Sequence, residues 1–201
     1  MMKFLIDGHR NRVALRHEQW EEGVIGQLLT PLTRYRRGHD VFAIDNGCFT
    51  SFREKEFVSL LKREFEYREN ALFVCAPDKV GCHKTTIQMF NDYAYLCEGF
   101  KIAFVAQDGY EGMPDEVDAL FIGGTNAFKD SQLAIDAVTD ALNKNKHVHI
   151  GRINTAPRFL KFNQLGAHTC DGSGVSRYNH MLPAIKIAFE LEQIMMGKKN
   201  A

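Results

Sequence analysis

The chain has 201 residues, 45% hydrophobic and 25% charged, which is enough for one sizeable core and too few for two comfortable domains. A single domain over residues 1–201 is expected. Its 25 basic and 25 acidic residues cancel, which excludes a global pull toward nucleic acid or membrane and requires any polyanion to be met by a local patch. Five cysteines, Cys48, Cys75, Cys82, Cys97 and Cys170, include no Cys-x-x-Cys pair. That pattern argues against a disulfide framework or a thiolate zinc knuckle, and for reduced, buried thiols.

Short apolar runs alternate with helical patterns, the signature of β-α units around a parallel sheet. Lys3 to Ile6 is the first run; Asp7 and His9 follow too soon for a signal peptide or membrane span, so a cytoplasmic protein is expected. Glu18 to Leu29 reads as a helix closed by Thr30-Pro31, and a basic segment, Arg34 to Arg37, comes next. Val41 to Ile44 is the second strand, ending on Asp45-Asn46. Phe57, Leu60, Leu61 and Phe65 recur at helical spacing between Phe52 and Tyr67. Leu72 to Ala76 is the third strand, ended by Pro77-Asp78, and His83 to Leu96 the next helix. Strands four and five, Ile102 to Ala106 and Asp118 to Ile122, deliver Gln107 and Gly123-Gly124. Ser131 can cap a helix through Leu142. His147 to Ile150 is the sixth strand, followed by Gly151-Arg152; Thr155 can cap a helix that tolerates Pro157 in its first turn. Ala167 to Cys170 is the seventh strand, and a helix from Met181 to Met196 follows.

Seven strands, most followed by a helix, fit either a minimal (β/α) barrel of seven or eight parallel strands or a doubly wound open sheet. The chemistry favours the barrel. Asp45, Asp78, Gln107, Gly123, Gly124, Arg152 and Asp171 each sit just past an apolar run, and in a barrel these positions share the C-terminal rim, where such enzymes keep their active sites. Two of the carboxylates can divide the roles of nucleophile and general acid/base if their surroundings separate their pKa values. Asp78 and Gln107 can hydrogen-bond the edge of a planar heterocycle, and the paired glycines let a flat ring approach the backbone. A magnesium site built from three aspartates is the alternative.

The stretch Gly166-Ala-His-Thr-Cys-Asp171-Gly-Ser-Gly-Val-Ser-Arg177 places one acid at a strand end in a glycine-rich turn, with an arginine six positions on. A plain Asp-Gly turn explains the dipeptide equally well. Five stretches in order nevertheless resemble the tRNA-guanine transglycosylase superfamily. Asp45-Asn-Gly-Cys-Phe49 is similar to its Asp-Ser-Gly-Gly-Phe, Ala76-Pro-Asp78 to Ala-Phe-Asp, Ala106-Gln107-Asp-Gly109 to Val-Gln-Gly-Gly, and Phe121-Ile-Gly-Gly124 to Ile-Gly-Gly-Leu. Gly166 to Arg177 matches the segment spaced glycine, nucleophilic aspartate, arginine.

This resemblance implies a barrel enzyme that cleaves the N-glycosidic bond of a nucleotide in a polymer. Asp171 would attack the sugar C1′, Asp45 would act as general acid/base, Asn46, Asp78, Gln107, Gly123 and Gly124 would hold the base, and Arg177 would lie near the nucleophile or the substrate backbone. The family's zinc subdomain has no counterpart, since no cysteine follows Cys170, and Asp108 replaces a glycine of the base-binding motif. These departures point from tRNA toward the compact phage and bacterial relatives that insert deazaguanine bases into DNA. The expected reaction is exchange of a guanine-like base in DNA for a free deazaguanine base, with no cofactor, no metal and no membrane partner. Hydrolytic base excision by a DNA glycosylase, a tRNA-type transferase and an inactive base-binding module remain alternatives.

A neutral protein must hold a polyanion through local cations, and Arg34, Arg36, Arg37, Arg152, Arg158 and Arg177 are the candidates for phosphate contact. His147, His149 and His168 are read as core or rim residues ahead of metal ligands. Trp20 is read as helix packing.

Overall fold

The computed structural model describes residues 1–32 and 36–199. Eight strands, all parallel, close in sequence order into a barrel: β1 Lys3–Asp7, β2 Val24–Leu29, β3 Phe42–Ile44, β4 Ala71–Cys75, β5 Ile102–Ala106, β6 Ala119–Ile122, β7 His147–Ile150 and β8 Thr169–Asp171. Closure is made by β1 against β8, with Leu5 opposite Asp171. The helices are α1 Arg10–Gln19, α2 Glu54–Glu64, α3 His83–Tyr93, α4 Asn126–Asp130, α5 Gln132–Asn143, α6 Ala156–Gln164, α7 Ser173–Arg177 and α8 Met181–Lys199. The fold is therefore the α/β barrel of the two architectures considered, with eight strands.

The eighth strand is a correction: Val24–Leu29 lies inside the segment expected to be helical from Glu18 to Leu29. The helix lies earlier, over Arg10–Gln19, begun by His9, whose Nδ1 accepts from the Asn11 N–H at 3.3 Å. A 3-10 turn over Glu21–Gly23 separates it from β2. Tertiary contacts overrule the helical spacing of Trp20, Val24 and Leu28. A side chain at Gly26 would come within 2.0 Å of the Val41 carbonyl oxygen, so that glycine admits the neighbouring chain. The fully buried Gln27 donates to Gly8 O at 2.6 Å and accepts from Gly38 N at 2.8 Å. Two smaller differences follow the same logic: the glycine-rich stretch after Asp171 winds into α7, and α4 precedes the expected helix. Ser131 caps α5 as expected, accepting from Ala134 N.

Alternate residues of β1 to β6 fill the barrel interior with Leu5, Leu28, Ala43, Phe73, Cys75, Ala103, Val105, Ala119 and Phe121. The β7 and β8 side of the interior is polar: His149 packs tilted against Phe121 and edge-on to Phe73, centroids 4.6 and 5.1 Å away. Outside the sheet, Phe4, Trp20, Phe159 and Phe189 form one aromatic cluster, so Trp20 is packing. Arg16 is buried and clamps the ends of the chain, donating to the carbonyls of Val175 and Ser176 at 2.8 and 3.2 Å. Among the described residues, no helix is long and apolar enough to cross a membrane.

Candidate active site

Parallel strands in a closed barrel send every strand's C-terminal residue to one rim. Asp45, Asn46, Asp78, Gln107, Gly123, Gly124, Arg152, Asp171 and Arg177 all line one pocket of about 540 Å³ at that rim. Nine residues singled out from sequence thus meet in one place.

Asp171, the last residue of β8, is 8% exposed. Its Oδ1 accepts from the Arg152 backbone N–H at 3.2 Å, and its Oδ2 lies 3.1 Å from His149 Nε2. An ionised carboxylate only accepts, so His149 donates from Nε2 and a neutral ring offers Nδ1 as acceptor. Thr169 Oγ1, 2.9 Å away, then donates to that nitrogen and accepts from His147 Nε2 at 2.8 Å. His147 is held neutral: burial, then the neighbouring His149 and His168, push it down to about 3. The three side chains form a directed row along the polar side of the interior that fixes the Asp171 carboxylate.

Asp45 differs in kind. Its Oδ1 accepts from Gly47 N at 2.6 Å, with Gly47 at φ 76°. Burial drives its pKa up to about 7; the Gly47 hydrogen bond opposes this, and the charges of Asp171, Asp78 and Asp7 add to the rise. A carboxyl that titrates near neutrality can both give and take a proton.

Asp78 is fixed at both oxygens. Asn46 donates to Oδ1 at 2.8 Å and also to Ala76 O at 2.6 Å, while Gln107 donates to Oδ2 and accepts from Gly81 N at 2.8 Å. Burial raises Asp78 to about 6 against the lowering effect of Asn46, Gln107 and Cys48. Its remaining lone pairs form a fixed acceptor edge. Gly123 serves this arrangement, since a side chain there would meet Gln107 Nε2 and Val105 at 2.8 Å. Gly124 takes φ 69° and would crowd Phe128 at 2.6 Å.

The arginines separate into two groups. Arg152 and Arg177 line the pocket, and the Arg152 guanidinium stacks 4.8 Å over the exposed Phe49 ring. Arg37 pairs with Glu64 at 3.1 Å and stacks on Tyr67 at 3.9 Å, and Arg158 pairs with Asp130 at 2.8 Å. Neither of those two, nor Arg36, lines the pocket; Arg34 lies outside the described residues. Asp108 turns away to accept from the Thr125 N–H at 2.9 Å and from its hydroxyl.

Two pocket residues escape a reading of the sequence. Asp7 ends β1 and adds a fourth carboxylate to the rim; its strand-end position was the available signal. Lys129 on α4 is fully buried, reaches Gly124 O at 3.2 Å and lines the pocket, and nothing local distinguishes it from a solvated helix lysine. Among the described residues, no group of three or more histidine, cysteine, aspartate or glutamate side chains is arranged to hold a metal ion. No model of a known protein family matches the chain and no curated protein matches it.

Proposed function

We propose that the protein cleaves the N-glycosidic bond of a guanine-like base in DNA and exchanges it for a free deazaguanine base, with Asp171 as nucleophile. The observation that carries this reading is the contrast between two carboxylates in one pocket. Asp171 is oriented by two directed donors, whereas Asp45 is shifted to about 7 and suited to proton transfer. The target base leaves the stack to enter the pocket. Its edge, carrying adjacent ring and exocyclic N–H donors, faces the Asp78 carboxylate, a bidentate match.

The Asp171 carboxylate then forms a bond to C1′ as the bond from C1′ to the base nitrogen breaks through an oxocarbenium-like transition state. The bonding pair leaves with the base, which takes a proton from Asp45. The resulting glycosyl ester is attacked by a ring nitrogen of the incoming base; Asp171 departs with the ester electron pair and Asp45 recovers the proton.

The test is incubation of DNA containing labelled guanine with the protein, with and without free deazaguanine. Expected results are label release beyond one equivalent per enzyme only when free base is added, and a denaturation-stable protein–DNA adduct lacking in Asp171→Asn. Abasic sites formed without added base would assign hydrolysis, and undiminished release by Asp171→Asn would refute the nucleophile.

A further inference from the structure

Two cations meet at one carbonyl on the β6–β7 side of the pocket. Lys129 Nζ donates to Gly124 O at 3.2 Å, and Arg152 Nη2 donates to the same oxygen. Lys129 is fully buried yet borders the cavity. That contact uses one of its three N–H donors, and among the described residues neither cation makes an ion pair. Removing an ammonium from water without a counter-charge is costly. Burial and the adjoining Arg152 charge accordingly lower Lys129 to about 8, while Asp171 pulls the other way. A neutral carbonyl shared by two cations leaves both undercompensated, and both residues line the same cavity.

We propose that Lys129 and Arg152 form an oxyanion subsite within the pocket, binding a negatively charged oxygen group of the substrate. The substructure rests on the base-exchange reading for its ligand: the oxyanion is either a carboxylate carried by the exchanged base or a phosphate attached to the target nucleoside. Both are planar or tetrahedral groups that accept charge-assisted hydrogen bonds from an ammonium and a guanidinium together. A base substituent carrying an ammonium group would be repelled.

The test is calorimetric titration of the full chain with two ligand pairs: 7-deazaguanine with and without a 7-carboxylate, and 2′-deoxyguanosine with and without a 5′-phosphate. In one pair the anionic member should bind about tenfold more tightly or better, as expected for a charge-assisted hydrogen bond, and that pair identifies the source of the oxyanion. Lys129→Met should erase the preference while retaining affinity for the neutral member, and Arg152→Gln should weaken it. Lys129→Met should also melt at a higher temperature than wild type without ligand, because an unpaired buried charge is replaced by an apolar side chain of similar length. Equal binding within both pairs, or a preference that survives Lys129→Met, would overturn the subsite. If no purine ligand binds, the base-pocket reading fails by itself, and inorganic phosphate is the probe. Stabilisation of wild type but not of Lys129→Met then upholds the subsite, and stabilisation of neither overturns it.

Discussion

The two arcs of the barrel rim are chemically opposite. From β8 through β1 and β3 to β4 the strand ends carry Asp171, Asp7, Asp45 and Asp78; from β5 through β7 they carry Gln107, the glycine pair and Arg152, with Lys129 beside them. Burial raises Asp45 and Asp78, with neighbouring carboxylates adding to the rise at Asp45, and burial beside Arg152 lowers Lys129. Segregating the charges keeps acid and base from neutralising each other as ion pairs. Among the described residues, neither Lys129 nor Arg152 forms an ion pair with a carboxylate, so the two arcs keep their opposite charges apart.

The largest effect expected from breaking the acidic arc is at Asp171, the proposed nucleophile. Asp171→Asn should reduce base release by at least about 10³-fold, read from labelled guanine, with an unchanged circular-dichroism spectrum. Asp45→Asn should cost roughly 10²–10⁴-fold. The wild-type rate of base departure should fall as pH rises above about 7, because only the protonated Asp45 can give a proton, and that alkaline limb should vanish in the Asn variant. An alkaline limb unchanged in Asp45→Asn would move the acid to another group. His149→Gln, which removes the ring that hydrogen-bonds Asp171 but leaves the carboxylate in place, should slow release by roughly 10–100-fold. Its effect should fall on the rate of adduct formation, leaving affinity for free base unchanged.

Stability offers a subtler way to sharpen the comparison. Asp45 titrates at about 7 in the fold against 3.8 ordinarily, so the native state binds more protons than the unfolded one between those values. Its contribution is complete below 3.8 and is lost as pH rises through 7. The advantage of Asp45→Asn over wild type in chemical denaturation should therefore grow from pH 4 to pH 8, by on the order of 1–4 kcal/mol. A constant difference would mean that Asp45 is not raised. The smallest effect concerns DNA. Arg37 and Arg158 are occupied by Glu64 and Asp130, leaving Arg152 and Arg177 at the pocket. The log–log dependence of affinity on salt should then have a slope of about 1.4–1.8, and Arg177→Ala should lower it by about 0.7–0.9.

The acidic arc was largely legible in the sequence and the cationic arc was not. A carboxylate that directly follows an apolar run can be placed on the rim by counting, as with Asp45, Asp78 and Asp171. Lys129 follows no such run: its burial depends on the turn of α4 against Gly124, a contact that the spacing Gly124 to Lys129 does not announce. The strand β2 was hidden for a similar reason. Val24 to Leu29 carries apolar residues on both faces, as buried parallel strands do, and only the approach of Val41 to Gly26 and the anchoring of Gln27 decide against helix. Of the arginines, sequence could rank none, because pairing with Glu64 or Asp130 is set by residues distant along the chain.

The closure of β1 on β8 also bears on how the protein is made. Residues 3–7 are made before residues 169–171 and cannot complete their pairing until those follow, and buried Arg16 waits for carbonyls 159 and 160 positions later. Such separations slow folding, because the loop entropy is lost before the contacts form. The proposed nucleophile is itself the last residue of the closing strand. A nascent chain therefore carries Asp78 and its partner Gln107 well before it carries Asp171, and the pocket is completed only together with barrel closure.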